Sequence, residues 1–89
     1  VGGINMKWKN VRKKYPDSWV LFEAIEAYSE NGERKVKDIS ILNTFDDSDK
    51  ATEIYRKIHK KNPQRELYIA HTQKEQLKIE ERKWLGIRV

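Results

Sequence analysis

Few residues in this chain could do chemistry. Its two histidines, His59 and His71, fall in separate segments and fit no H-E-x-x-H or comparable ligand spacing. A metal site would need the fold to bring both together with a carboxylate. His59 lies beside an apolar helical stripe, and His71 ends a strand-like run, so both read as structural. Cysteine is absent, which excludes a thiolate nucleophile, a thiolate zinc site and a disulfide framework. No Ser or Thr occupies the strained strand-to-helix elbow of a hydrolase nucleophile. Neither Gly2-Gly3 nor Asn31-Gly32 has the form of a phosphate loop. Asp46-Asp47-Ser48-Asp49 begins like a cation loop but lacks the following Gly and distal Glu, and helix capping explains it better. Glu80-Glu81 beside Arg82 reads as a solvated charged run. The expectation is a non-enzyme with no catalytic residue, metal or cofactor.

Charge offers the next candidate. The chain has 19 Lys and Arg against 14 Asp and Glu, a net charge of +5. Lys7, Lys9, Arg12, Lys13 and Lys14 supply all of that excess within an eight-residue stretch free of acids. These five are the candidate nucleic-acid contacts: bases on one short helix could neutralise phosphates while Trp8 or Tyr15 stacks on bases. Set against this, the sheet is not obviously basic and has no RNA-recognition signature. A solvated helix face whose aromatics pack on the sheet is the favoured reading.

Those residues must be positioned by a small fold. A length of 89 residues bounds the chain to one domain, assigned to residues 6–89. Apolar and charged residues each make up 37%, and three Trp, four Tyr and two Phe suffice for a core. Mean hydropathy is −0.94 and no apolar run approaches a membrane span, so no membrane partner is expected. Cysteine-free composition without a signal-peptide pattern makes the cytoplasm the expected location.

Residues 6–15 read as a helix, with Trp8, Val11 and Tyr15 forming one apolar stripe and Pro16 ending it. Residues 19–28 are the strongest strand signal. Asn31-Gly32 then suits a type I′ turn into a returning strand over 36–45. A two-residue turn pairs Phe22 with Ile41, Ala24 with Ile39 and Glu26 with Lys37 on one face. Leu21 pairs with Leu42, and Ala27 with Val36, on the other. Ala51, Ile54, Tyr55 and Ile58 mark an amphipathic helix, capped by the Asp46–Asp49 cluster and ended by Asn62-Pro63. Residues 65–72 form a third strand.

The fold class is therefore α+β: a three-stranded, mainly antiparallel sheet of order 2-1-3. The first strand is central, an N-terminal helix and one long helix pack on the sheet, and a helical or irregular C-terminal tail follows. A parallel third strand beside the second, reached by a right-handed crossover, is the less favoured topology. Thr72-Gln73-Lys74-Glu75 matches a capping box and suggests a helical turn, after which Leu77 and Ile79 alternate as in a strand while Leu77 and Trp84 are helix-spaced. Arg82, Trp84, Leu85, Ile87 and Arg88 form an apolar, Arg-flanked cluster and are the candidate protein interface.

Residues 1–5 carry no charge and are set apart as a leader. Gly2-Gly3-Ile4-Asn5-Met6 back-translates to a ribosome-binding GGAGG ahead of an ATG, so Met6 is read as the native start; a cloning remnant is the other reading.

Tyr15-Pro16 leading to Trp19-Val20 precedes an apolar strand, and Asp47-Ser48 opens a helix that ends at His59-Lys60-Lys61 and Pro63. His71-Thr72 follows, then Ile79-Glu80, Arg82, Trp84 and Gly86-Ile87-Arg88. In this pattern the chain resembles a family of short uncharacterised bacterial proteins along nearly its whole length. The resemblance implies a single domain and a bacterial source, and no activity.

The expected role is a non-catalytic protein-interaction module, homodimeric or bound to another protein. The alternative is a nucleic-acid-binding regulator or antitoxin-like protein that uses the basic first helix.

Overall fold

Asn31 and Gly32 both adopt positive φ, at 52° and 78°, the backbone state a type I′ turn requires. In the computed structural model, which describes residues 5–80, this turn joins β1 (Trp19–Glu30) to β2 (Glu33–Phe45). A short helix α1 (Trp8–Lys14) precedes the hairpin and α2 (Ser48–Lys61) follows it. β3 (Leu67–His71) and a two-residue β4 (Ile79–Glu80) complete an antiparallel sheet of order β3-β1-β2-β4.

The expected central position of β1 and the antiparallel placement of β3 beside it are both present. The expected count of three strands is corrected to four. β4 lies on the far side of β2, with Ile79 against Arg34 and Glu80 against Glu33. The alternation of Leu77 and Ile79 serves this purpose, since both side chains pack on the core. The helical turn expected after Thr72 is also corrected. Thr72 Oγ1 accepts from the Ser18 amide at 2.9 Å, and Lys74 N–H donates to His71 C=O, closing a turn in place of a helix. The first helix likewise starts later than expected, because Met6 exchanges both backbone hydrogen bonds with Ile39 at 2.8 Å and so belongs to the sheet.

Bulges alter the hairpin register. Phe22–Ile41, Ala24–Ile39 and Ala27–Val36 align as expected, but Leu21 faces Asn43 and Glu26 faces Asp38. Irregularities between Leu21 and Phe22 and between Ala24 and Ala27 each displace the ladder. An extra residue on one strand turns the following side chains over. Val36 consequently joins the same core as Phe22 and Ile39, not the opposite face.

That core contains Trp8 and Val11 of α1 with Val20, Phe22 and Ile39, and Tyr15, Ile41, Tyr68 and Ala70 pack around it. It includes nothing from α2. Strand alternation directs Leu21 and Leu67 to the other face, where they are buried together with Ala51 of α2. α2 touches β1, β2 and β3 but not α1, so the helices lie on opposite faces of the sheet. The Asp47 side chain accepts from Lys50 N–H at 2.9 Å and caps α2. Asn62 ends it before Pro63.

Candidate anionic-ligand cleft

α1 is fixed to the sheet by its own polar side chains as well as by its apolar stripe. Trp8 Nε1 donates to the Lys74 carbonyl at 2.9 Å, and Arg12 Nε donates to the Thr72 carbonyl at 2.8 Å. Arg12 Nη2 also reaches the Gln73 carbonyl at 3.4 Å. Thr72 itself is 2% exposed and exchanges hydrogen bonds with Ser18 through both backbone and hydroxyl. The turn at 72–74 is thus a docking rail for α1.

The five basic residues singled out in the sequence separate into different roles here. Lys7 pairs with Asp38 at 3.3 Å. Lys14 lies over the Tyr15 ring, 5.7 Å from its centroid. Arg12 is engaged with backbone carbonyls. The side chains of Lys9 and Lys13 alone among the five have no hydrogen-bond, ion-pair or aromatic partner among the described residues. They stand one helical turn apart, an arrangement of like charges that disfavours an isolated helix by about 0.2–0.5 kcal/mol. For Lys13 the C-terminal end of the helix dipole offsets part of that.

Together with Arg12, these two lysines line an open cleft of about 550 Å³ between α1 and the 72–73 turn. Pro16, Asp17, Thr72 and Gln73 form its other walls. Asp17 sits at a positive φ of 52°. Its carboxylate is 3.8 Å from His71 Nε2. His71 in turn accepts at Nδ1 from the Gln73 amide and stands edge-on to Trp19, with 5.0 Å between centroids. The cleft therefore has a cationic wall on α1 and an anionic corner at Asp17.

The aromatics expected to stack on bases are not available for it. Trp8 is 9% exposed and its ring tilts against Phe22, while Tyr15 packs on the core. His59 stacks on Tyr55, at 5.5 Å between centroids, whereas His71 has Trp19 as its ring partner. The two histidines do not converge. Among the described residues no three His, Asp or Glu gather where they could hold a metal ion, and no helix is long and apolar enough to cross a membrane. The proposed interface residues Arg82, Trp84, Leu85, Ile87 and Arg88, like the first four residues of the 1–5 leader, lie outside the described residues.

Sequence reasoning missed Pro16, Asp17, Thr72 and Gln73 as cleft walls. Only the spacing of Lys9, Arg12 and Lys13 on one helical face hinted at the site; its other half comes from 60 positions further along the chain. A second polar cluster was also missed. Glu66 accepts from Arg34 and from the Tyr68 hydroxyl, tying the hairpin to β3. No protein-family model, curated protein or solved structure matches this chain.

Proposed function

We propose that the protein is a non-catalytic binding module that takes an acidic segment of a partner protein in the α1 cleft. The observation that carries this reading is the pair Lys9 and Lys13, unpartnered and one turn apart over a walled cleft whose third cation is already committed to the backbone. A carboxylate side chain fits between the two ammonium groups. The adjoining main chain then finds the Thr72–Gln73 wall and the Asp17 carboxylate, which accepts from amide donors.

The same geometry weighs against a nucleic-acid role. Two free cations release few counterions, which gives an affinity slope of only about −2 against log salt and weak non-specific binding. A second phosphate would meet Asp17, and neither Trp8 nor Tyr15 offers a stacking surface.

Fluorescence anisotropy with a labelled Glu-rich peptide and with a single-stranded oligonucleotide, each across a salt series, tests the reading. Peptide binding that disappears in the Lys9→Glu/Lys13→Glu double variant supports it. Oligonucleotide binding without peptide binding would replace it with the nucleic-acid role, and silence from both probes would end it.

A further inference from the structure

The margins of the sheet are not equally protected. Outside β2, Met6 bridges Ile39 and β4 covers Glu33 and Arg34, while the remainder of that edge is broken by a bulge. The half of β1 beyond β3 is likewise bulged and carries Glu26 and Glu30. Bulges, charges and short covering strands are the usual means of blunting an edge. Among the described residues, β3 has none of them. Its sequence, Leu67-Tyr68-Ile69-Ala70-His71, contains no Lys, Arg, Asp, Glu, Pro or Gly, and its ladder with β1 is regular throughout.

The hydrogen bonds from Ala24 N–H to Glu66 C=O and from Thr72 N–H to Ser18 C=O fix which β3 groups face inward. Even-numbered residues bond to β1; Leu67, Ile69 and His71 point their amides and carbonyls away from it. The Ile69 amide and carbonyl have no partner among the described residues, and the side chain is only half-buried.

We propose that a second copy of this chain pairs antiparallel with β3, on a two-fold axis through Ile69. In that register Ile69 meets its own counterpart, and Leu67 stands opposite His71 of the second copy. The outward-facing groups of each strand then satisfy one another in about four new main-chain hydrogen bonds, the His71 carbonyl being already taken by Lys74 N–H. Charge is compatible along the seam. No like charges meet, because β3 carries no Lys, Arg, Asp or Glu over Leu67–His71. The result is one continuous eight-stranded sheet, four strands from each copy.

Sedimentation or light scattering over a wide concentration series should show the mass of two chains. Ile69→Pro removes one outward amide without touching a bond to β1, and should yield a monomer with unchanged circular dichroism. Because that variant could unfold, Ile69→Cys supplies an independent measurement in a chain that otherwise has no cysteine. Under mild oxidation it should cross-link across the axis far faster than Thr52→Cys on α2, since Cα atoms of a hydrogen-bonded antiparallel pair lie at about 5.5 Å, within disulfide reach. A wild-type chain that stays monomeric at every concentration overturns the proposal. So does a dimer in which Ile69→Cys cross-links no faster than Thr52→Cys.

Discussion

The Arg34 guanidinium grips the Glu66 carboxylate with two hydrogen bonds, Nε to Oε2 at 2.7 Å and Nη2 to Oε1 at 3.0 Å. The two residues are 32 positions apart, one at the hairpin end of β2 and the other just before β3. Tyr68 adds a third bond, donating its hydroxyl to Glu66 Oε2 at 2.6 Å. The long end of the hairpin, which extends past β3, is anchored to the rest of the sheet at this point.

Glu66→Gln should lower stability by about 1–2 kcal/mol near neutral pH, the scale of a partly exposed charge-assisted bond. The Arg34 hydrogen bond holds the Glu66 carboxyl below its ordinary 4.5, outweighing the upward push of burial, with the Tyr68 bond helping. Its stabilisation is thus complete above that ordinary value and is lost as pH falls through the lowered one. Urea denaturation from pH 7 down to pH 2 should show a shallower acid limb in Glu66→Gln than in the wild type. Parallel limbs would mean that the pair is indifferent to folding.

Tyr68 should ionise late. Burial first, and then its bond to the Glu66 carboxylate, push its hydroxyl up to about 12 from 10.0. A raised value means that stability is intact below pH 10 and declines as pH climbs toward 12. Phenolate absorbance should therefore include a step near pH 12, and Tyr68→Phe should remove that step specifically.

Arg12 and Lys13 are adjacent, yet they should separate cleanly by measurement. Arg12→Ala strands the Thr72 carbonyl and should cost about 1–3 kcal/mol. Lys13→Ala should shift the urea midpoint by no more than the equivalent of about 0.5 kcal/mol. Ligand binding should reverse the order, with Lys13→Ala the more damaging. Equal stability losses would show that Arg12 is not part of the frame.

At the turn, a Cβ on Gly32 would meet nothing within 4 Å. Gly32→Ala should consequently destabilise by conformation alone, about 1–2 kcal/mol for an L-residue held at positive φ. A D-alanine at that position, introduced by chemical synthesis, should recover the loss, as read by thermal unfolding.

Local chemistry explains what could be read ahead of the structure. Asn31-Gly32 announces its turn, Asp47 its cap, and Trp8, Val11 and Tyr15 their shared stripe, because each acts within a few residues. The bulges beside Leu21 and Ala24 have no Gly or Pro to mark them, so a uniform register carried Leu21 to Leu42 instead of Asn43. β4 has only two residues, so the alternation of Leu77 and Ile79 does not by itself announce a fourth strand. The Thr72 hydroxyl illustrates the harder case: the same side chain that starts a capping box was claimed by Ser18, 54 positions earlier. Half of the cleft depends on that long-range choice.

Phe22 and Leu21 are joined by one peptide bond, yet they answer to different neighbours, one to Trp8 and Val11, the other to the helix behind. β1 works as a partition. Truncating Val11 together with Phe22 should therefore give a strongly non-additive loss, whereas truncating Val11 together with Leu21 should give nearly the sum of the single losses. Sequence drift can repack the rear compartment while the wall that carries Lys9 and Lys13 keeps its shape.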